Sequence, residues 1–312
     1  MGTERRLELT DRLDGDGLAA AAVLLARVID ADGHRGIGAD ALELLATPGR
    51  ATAVLARAPG DGPAGLDGLA FAHVQDGSTW TIELTVDPGR RGHGLGRALL
   101  GAVLGAAPAG TRPRVWAYRP GVAQHRLAER FDLVPVMRLE QLRGPTTGPE
   151  AGVATPPGVT LRGYRPDDPH DLDAVVAIHN VAFSTEQVTG ELVAERLART
   201  FMGPDHLVMA ELDGHPAGFV WMASPRPDGE GDGHGELVFL AVDPGAAGRG
   251  VGRALVAAGL GLLAGLGVER CMLYVEADNT PALRLYRRAG LRLHHADVLL
   301  APRGEGLAEV AW

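Results

Sequence analysis

The chain has 312 residues, a hydrophobic fraction of 46% and a formal charge of −9. That length fits two ordinary domains, each with its own core, and an acidic balance without a basic stripe argues against nucleic acid as a partner. No apolar run reaches membrane-span length, and MGTERRLELTDRLDGDG has no apolar segment after its charges, so no signal peptide is expected. A cytoplasmic protein follows from this reading. One cysteine, Cys271, excludes an internal disulfide framework and, within an apolar strand pattern, reads as a core side chain. All 30 basic residues are arginine, which excludes any function that needs a lysine amine.

Residues 1–50 read as largely helical, with Leu18–Ile29 and Ala39–Leu45 flanking a polar loop in which Asp32 and Asp40 can serve an acceptor. Ala51–Arg57, Gly68–Val74 and Thr79–Val86 read as strands. A glycine turn and a helix at Gly96–Leu104 follow, then strand Arg114–Tyr118, helix Gly121–Phe131 and strand Leu133–Gln141. The Pro/Gly/Thr-rich stretch 144–158 reads as a linker between an N-terminal domain, 1–143, and a C-terminal domain, 159–312. The second half repeats the order: strand Val159–Tyr164, helices His170–Phe183 and Thr189–Thr200, strands His206–Leu212 and Pro216–Ser224, and strand Glu236–Val242. Helix Gly250–Leu266, strand Arg270–Val275, helix Thr280–Ala289 and strand Leu291–Leu300 complete it. The expected fold is mixed α/β (α+β with a mixed sheet), twice.

The duplication is explicit at one place. Leu84 to Leu99 aligns without a gap to Leu240 to Leu255, and 11 of the 16 positions are identical. In each copy a strand runs into a glycine-rich turn and then a helix. Backbone N–H groups and the positive helix end at such a turn suit phosphate. The spacing is neither GxGxxG nor GxxxxGK[ST], so ordinary nucleotide motifs do not apply. A bland reading, a tight strand-to-helix turn, fits the glycines taken alone. Against it stand the repetition, a carboxylate at the start of the second strand (Glu236), and a polar cluster at 274–279 leading into a helix that bears Tyr286.

Leu240–Leu255 resembles the acyl-CoA motif of the Gcn5-related N-acetyltransferases, [RQ]xxGx[GA] after a strand. Val275 to Asn279, Ala282 and Tyr286–Leu291 resemble that family's later motif, V-x-x-x-N-x-x-A-x-x-x-Y-x-x-x-G-F. Tandem copies of about this length resemble its mycothiol synthase branch, which acetylates the cysteinyl amine of a glucosaminyl-inositol pseudodisaccharide. The resemblance implies two tandem acyl-CoA N-acyltransferase domains using acetyl-CoA as co-substrate and no metal, and a small-molecule amine acceptor. A monomer is expected, with no membrane or nucleic-acid partner.

It also implies roles. Glu236 is the general base that deprotonates the acceptor ammonium, and Tyr286 the acid that protonates the leaving thiolate. Leu240, Ala241 and Val242 pair with the pantetheine. Ala247, Gly248, Arg249, Gly250, Val251, Gly252 and Arg253 cradle the pyrophosphate, joined by Asn279, Thr280, Pro281, Ala282, Leu283 and Arg284. In the first copy Leu84, Thr85 and Val86 with Gly92, His93, Gly94, Leu95, Gly96 and Arg97 occupy the same places. Trp80 stands at the position of Glu236 and Ala128 at that of Tyr286, while Trp116 matches Tyr274 and Arg126 matches Arg284, so the first copy is expected to be non-catalytic.

Departures concentrate on the acceptor side. The active turn opens on Ala247 where Arg or Gln is usual, whereas the first copy has Arg91 there. Asp40 stands beside the place of an expected acidic residue, Glu186 survives from a longer His-Pro-Glu-Gln-Gly segment, and Arg226 replaces a lysine; Tyr274 matches. Two alternatives stay open: a tandem acetyltransferase for another amine (aminoglycoside, amino acid or peptide), and a non-catalytic acyl-CoA-binding or sensing protein.

Overall fold

The computed structural model describes residues 6–38, 40–57, 65–149, 154–183, 187–225 and 233–312. Its contacts divide the chain into two compact units: Met1–Leu139 with Ala296–Trp312, and Glu140–His295. The sequence reading placed its boundary at 144–158. In the structure Thr146 is 2% exposed and bonds the backbone of Val268 and Glu269, so the first part of that stretch is packed onto the second unit.

Unit 1 opens with strand β1 (Arg6–Thr10), a segment read as helical from sequence. Its RLELT alternation pairs antiparallel with β2 (Thr52–Arg57), so this segment is a strand, whereas the alanine- and leucine-rich segment that follows is helical as its composition suggests. Helix α1 (Gly15–Asp32) starts where the Asp14 carboxylate accepts the Gly17 N–H at 2.9 Å, and ends at left-handed Gly33. Leu24, Leu25 and Val28 lie on its buried face, and the short α2 (Ala41–Ala46) adds Leu45 to the same cluster. β3 (Gly68–Gln75) and β4 (Thr79–Val86) extend the antiparallel meander. Helix α3 (Leu95–Gly105) crosses over to β5 (Arg112–Ala117), which pairs parallel with β4. Helix α4 (Val122–Arg130) and β6 (Leu133–Pro145) follow.

Unit 2 repeats this plan. β7 (Val159–Gly163), α5 (Pro169–Ala182) and α6 (Gly190–Leu197) precede the antiparallel β8 (Leu207–Leu212), β9 (His215–Ala223) and β10 (Gly235–Val242). Helix α7 (Val251–Gly265), β11 (Arg270–Glu276), α8 (Thr280–Arg288) and β12 (Arg292–Pro302) complete the chain. Leu255, Leu260 and Leu263 of α7 pack with Val220 and Met222 of β9 on one side of the sheet. Val175 and Ile178 of α5 pack with Phe219 and Trp221 on the other. Val298–Leu300 of β12 lie within unit 1 and pair antiparallel with β5.

In each unit a glycine of the central ladder sits against the helix that follows the turn. Gly218 faces Val242 and Gly68 faces Val86. A Cβ at Gly218 would lie 2.7 Å from the Ala241 carbonyl and 3.0 Å from Leu255 Cδ1, and one at Gly68 would lie 2.8 Å from Leu99 Cδ1. At Gly218 the close atom is a backbone carbonyl that cannot move aside, so glycine is required there for α7 to sit this tightly on the sheet.

Candidate active site

In unit 2 the turn after β10 begins where the Asp243 carboxylate accepts the Gly245 N–H at 2.8 Å. Gly248 and Gly250 are left-handed, with φ of 75° and 84°. Gly250 is the N-cap of α7 and provides no side-chain cap, and the first turn of α7 holds no acidic residue. The first N–H groups of the helix therefore lack intrahelical partners and sit at its positive end, which is what an anion requires. A Cβ at Gly250 would also lie 2.8 Å from Pro156 Cγ, so both backbone and space demand glycine. Unit 1 builds the same turn: Asp87 accepts from Gly89 at 2.8 Å, Gly92 and Gly94 have φ of 79° and 80°, and Gly94 leaves α3 uncapped.

The two turns differ in charge. Arg91, at the family's usual arginine position, gives both guanidinium nitrogens to Asp32 at 2.8 and 2.6 Å, so a carboxylate offsets its charge. Unit 2 has Ala247 there, but Arg253, Arg284, Arg287 and Arg288 with Pro281 and Leu285 line a cleft of about 550 Å³ beside the start of α7. The loss of one turn arginine is thus accompanied by a basic wall from α8. Arg249 lies 3.8 Å from Asp213.

β10 and β11 pair only at Gly235–Cys271 and Glu236–Met272, although the strands run on to Val242 and Glu276. Beyond Glu236 the side of β10 that faces β11 carries no further ladder pairs among the described residues, which opens Leu240, Ala241 and Val242 to an added extended chain. The ladder to β9 slips between Leu237 and Phe239, leaving Val238 as a bulge. Glu236 stands at the point of divergence. Leu237 packs in the α7 cluster, so alternation puts Glu236 on the α5–α6 face. Cys271 beside it is fully buried, the core side chain its apolar surroundings suggest, and burial pushes its thiol up to about 12, with the Glu236 charge adding to the effect.

Tyr286 is 7% exposed in the α7 cluster, and burial raises its phenol well above the usual range, so it keeps its proton. Asn279, read as a cofactor contact, caps α8: its Oδ1 accepts the Ala282 N–H at 3.2 Å. Leu283 is a core residue at 5% exposure, whereas Arg284 on the opposite face is exposed. Thr280 bonds the Asp278 carbonyl at 3.3 Å.

Of the acceptor residues, Tyr274 is 43% exposed and accepts a hydrogen bond from Gln141 Nε2 at 2.6 Å. Asp40 is exposed and immediately precedes α2 in unit 1. Glu186 and Arg226 lie outside the described residues.

The ladders correct one alignment. Counting back from Gly218–Val242, Glu236 pairs with Ala223 across the bulge; counting the same steps from Gly68–Val86 in bulge-free β4 reaches Thr81, paired with His73. Thr81, not Trp80, is the counterpart of Glu236. Trp80 is 3% exposed and donates its Nε1–H to the Val103 carbonyl at 3.3 Å. The face that carries Glu236 in unit 2 carries Thr81, Glu83 and Thr85 in unit 1, all nearly buried. Sequence reasoning passed over Glu83; the alternation of polar residues at 81, 83 and 85 in an otherwise apolar strand was its signal.

The family model for the GNAT acetyltransferases matches residues 172–291. A mycothiol acetyltransferase of Rhodococcus erythropolis is 35% identical over 306 residues, covering 94% of this chain and 98% of that protein. One of Clavibacter sepedonicus is 40% identical over 262 residues, covering 81% and 82%. Among solved structures, a GCN5-related N-acetyltransferase from Sphaerobacter thermophilus superposes with a TM-score of 0.74 at 25% identity, covering 94% of both chains. A tandem GNAT protein from the clavulanic acid biosynthesis pathway has the same fold, with a TM-score of 0.70 at 17% identity over 95% of this chain and 98% of its own. The chain is an acetyl-CoA-dependent N-acetyltransferase with the tandem GNAT fold, and it belongs to the mycothiol acetyltransferase family.

Proposed function

We propose that unit 2 transfers acetyl from acetyl-CoA to the cysteinyl amine of the cysteinyl-glucosaminyl-inositol precursor, the last step of mycothiol formation. The observation that carries this reading is the 35% identity over nearly the whole of both chains, with a carboxylate standing where β10 and β11 part. The uncapped α7 N-terminus binds the pyrophosphate, and the arginines of α7 and α8 add charge for the remaining phosphate. Leu240–Val242 take the pantetheine as an extra strand, and a backbone N–H of that strand end stabilises the developing oxyanion. Glu236 takes a proton from the acceptor ammonium, directly or through a water. Tyr286, held protonated by burial, gives its proton to the departing thiolate. Asp40, Glu186, Arg226 and Tyr274 are assigned to the acceptor, and no step calls for a metal. Unit 1, with Thr81 and Ala128 at the two proton-transfer positions, does not carry this reaction.

The test is product mass spectrometry with the cysteinyl pseudodisaccharide and acetyl-CoA. Acetylation on the cysteinyl nitrogen is expected. An unmodified pseudodisaccharide at saturating co-substrate, with acetylation of other small amines, would move the assignment to another acceptor.

A further inference from the structure

Tyr274, the exposed phenol assigned to the acceptor, is held by side chains that no step above uses. Gln141 is 2% exposed and lies on the part of β6 that belongs to unit 2. Its neighbour Leu142 packs in the α7 cluster, so alternation puts Gln141 and Arg143 on the opposite face. Tyr274 shares that face, because Leu273 and Val275 on either side of it also pack in the α7 cluster.

The direction of hydrogen bonding along this row is fixed from one end. Arg143 Nε donates to Gln141 Oε1 at 2.6 Å, and Gln141 Nε2 donates to the Tyr274 hydroxyl at 2.6 Å. A guanidinium has donors and no acceptor, so the amide must turn its oxygen to Arg143 and its NH2 to Tyr274. A flipped amide would oppose two donors. The phenol oxygen is thus an acceptor toward Gln141, and its own proton is directed to a different partner. A hydroxyl that accepts from a donor polarised by a cation is itself the stronger donor.

Position along the strand decides what that proton can meet. Glu236 pairs with Met272, the last pair before β10 and β11 part, and Tyr274 stands two residues further along β11 on the α5–α6 face, the face of Glu236. Two residues of strand span about 6.7 Å. A proton-accepting carboxylate and a proton-donating hydroxyl therefore flank the same gap. A carbonyl oxygen accepts and cannot donate, which matches the hydroxyl; a second ammonium would meet a donor. An α-amino amide carries such an oxygen on the carbon next to the one that bears the amine.

We propose that Gln141, oriented by Arg143, is a positioning residue that holds the Tyr274 hydroxyl as donor to the acceptor's carbonyl oxygen, so that unit 2 selects α-amino amides over simple amines. The proposal deepens, and rests on, the assignment of Tyr274 to the acceptor.

The experiment uses the full chain with acetyl-CoA and two probes, L-cysteinamide and cysteamine, which differ in the carboxamide. Initial rates are read by chromatography of the N-acetyl product, and the quantity compared is the ratio of kcat/KM for the two probes. The parent should favour L-cysteinamide by about tenfold or more, the worth of one well-formed hydrogen bond. Gln141→Glu keeps the shape of the side chain and its contact with Arg143, but a carboxylate only accepts, so Tyr274 must turn its proton to it. This variant and Tyr274→Phe should each lower the ratio about tenfold, chiefly through KM, and the double variant no further. Gln141→Met removes the donor without adding a charge and should lower the ratio about threefold. Acetyl-CoA calorimetry and melting temperature identify any variant that fails to fold. A parent without preference for L-cysteinamide, or an unchanged ratio in both folded Gln141 variants, overturns the proposal, because a merely structural Gln141 would slow both probes alike. The two readings fail separately. Acetylation of the cysteinyl pseudodisaccharide with no preference between the probes overturns the proposal alone. Preference for L-cysteinamide that falls in the Gln141 variants, with the pseudodisaccharide unmodified, supports the proposal and overturns the mycothiol assignment.

Discussion

Glu236→Gln separates catalysis from binding in unit 2. Glutamine keeps the volume and hydrogen-bonding reach of the side chain but cannot take a proton at neutral pH. Glu236 sits at the start of β10, paired with Ala223 and Met272, while the anion turn begins after Asp243. The strand ladder and the α7 N-terminus are untouched by the change. Acetyl-CoA affinity should therefore stay within about twofold, below ~0.5 kcal/mol. A positioned general base contributes roughly 10²–10⁴-fold. The acceptor amine is already partly deprotonated in mildly alkaline buffer, so the lower end applies: kcat should fall roughly 100-fold at pH 7.5, about 2.7 kcal/mol of barrier. The deficit should shrink as pH rises and free amine accumulates. Stopped-flow or steady-state thiol release with the cysteinyl pseudodisaccharide, beside acetyl-CoA calorimetry, reads both quantities. A kcat within threefold of the parent at every pH, with affinity unchanged, would refute the assignment of Glu236 as base.

Tyr286→Phe should keep the α7 cluster intact, leaving the melting temperature within about 2 °C, and lower kcat by roughly 100-fold, the lower end for an acid assisting a good leaving group; an unchanged kcat assigns Tyr286 to the core alone. Gly250→Ala forces a left-handed backbone at about 1–2 kcal/mol and drives a Cβ to 2.8 Å from Pro156 Cγ, so the KM for acetyl-CoA should rise about tenfold in steady-state assays. Glu83 gives a stability signature. Its folded carboxyl is raised from 4.5 to about 7 by burial, so between those values the native state binds the extra proton. Stability should fall by roughly 3 kcal/mol as pH climbs through that window and then level off. Denaturant unfolding should show Glu83→Gln removing most of that slope; an identical slope in both proteins shows that Glu83 ionises without cost.

Local chemistry was legible without coordinates. The uncapped glycine turns, the carboxylate at the head of β10 and the phenol on α8 depend on residues adjacent in the chain or one helical turn apart, where spacing alone fixes geometry. The duplication was legible for the same reason. What tertiary structure decided was pairing. Side chains alternate faces every residue along a strand, so one bulged residue, Val238, moves everything before it to the other face. No spacing rule marks that slip in GELVFLAV, and an ungapped comparison set Trp80 against Glu236 when the ladder sets Thr81 there. The same pairing exposes Glu83 as the carboxyl of unit 1, because its partners Gly38 and Tyr118 come from segments 45 and 35 residues away. The early strand β1 and the assignment of Ala296–Trp312 to unit 1 are likewise set by distant partners, Thr52–Arg57 and β5. Sequence determined which chemical groups the two copies own; strand register determined which of them face a cleft.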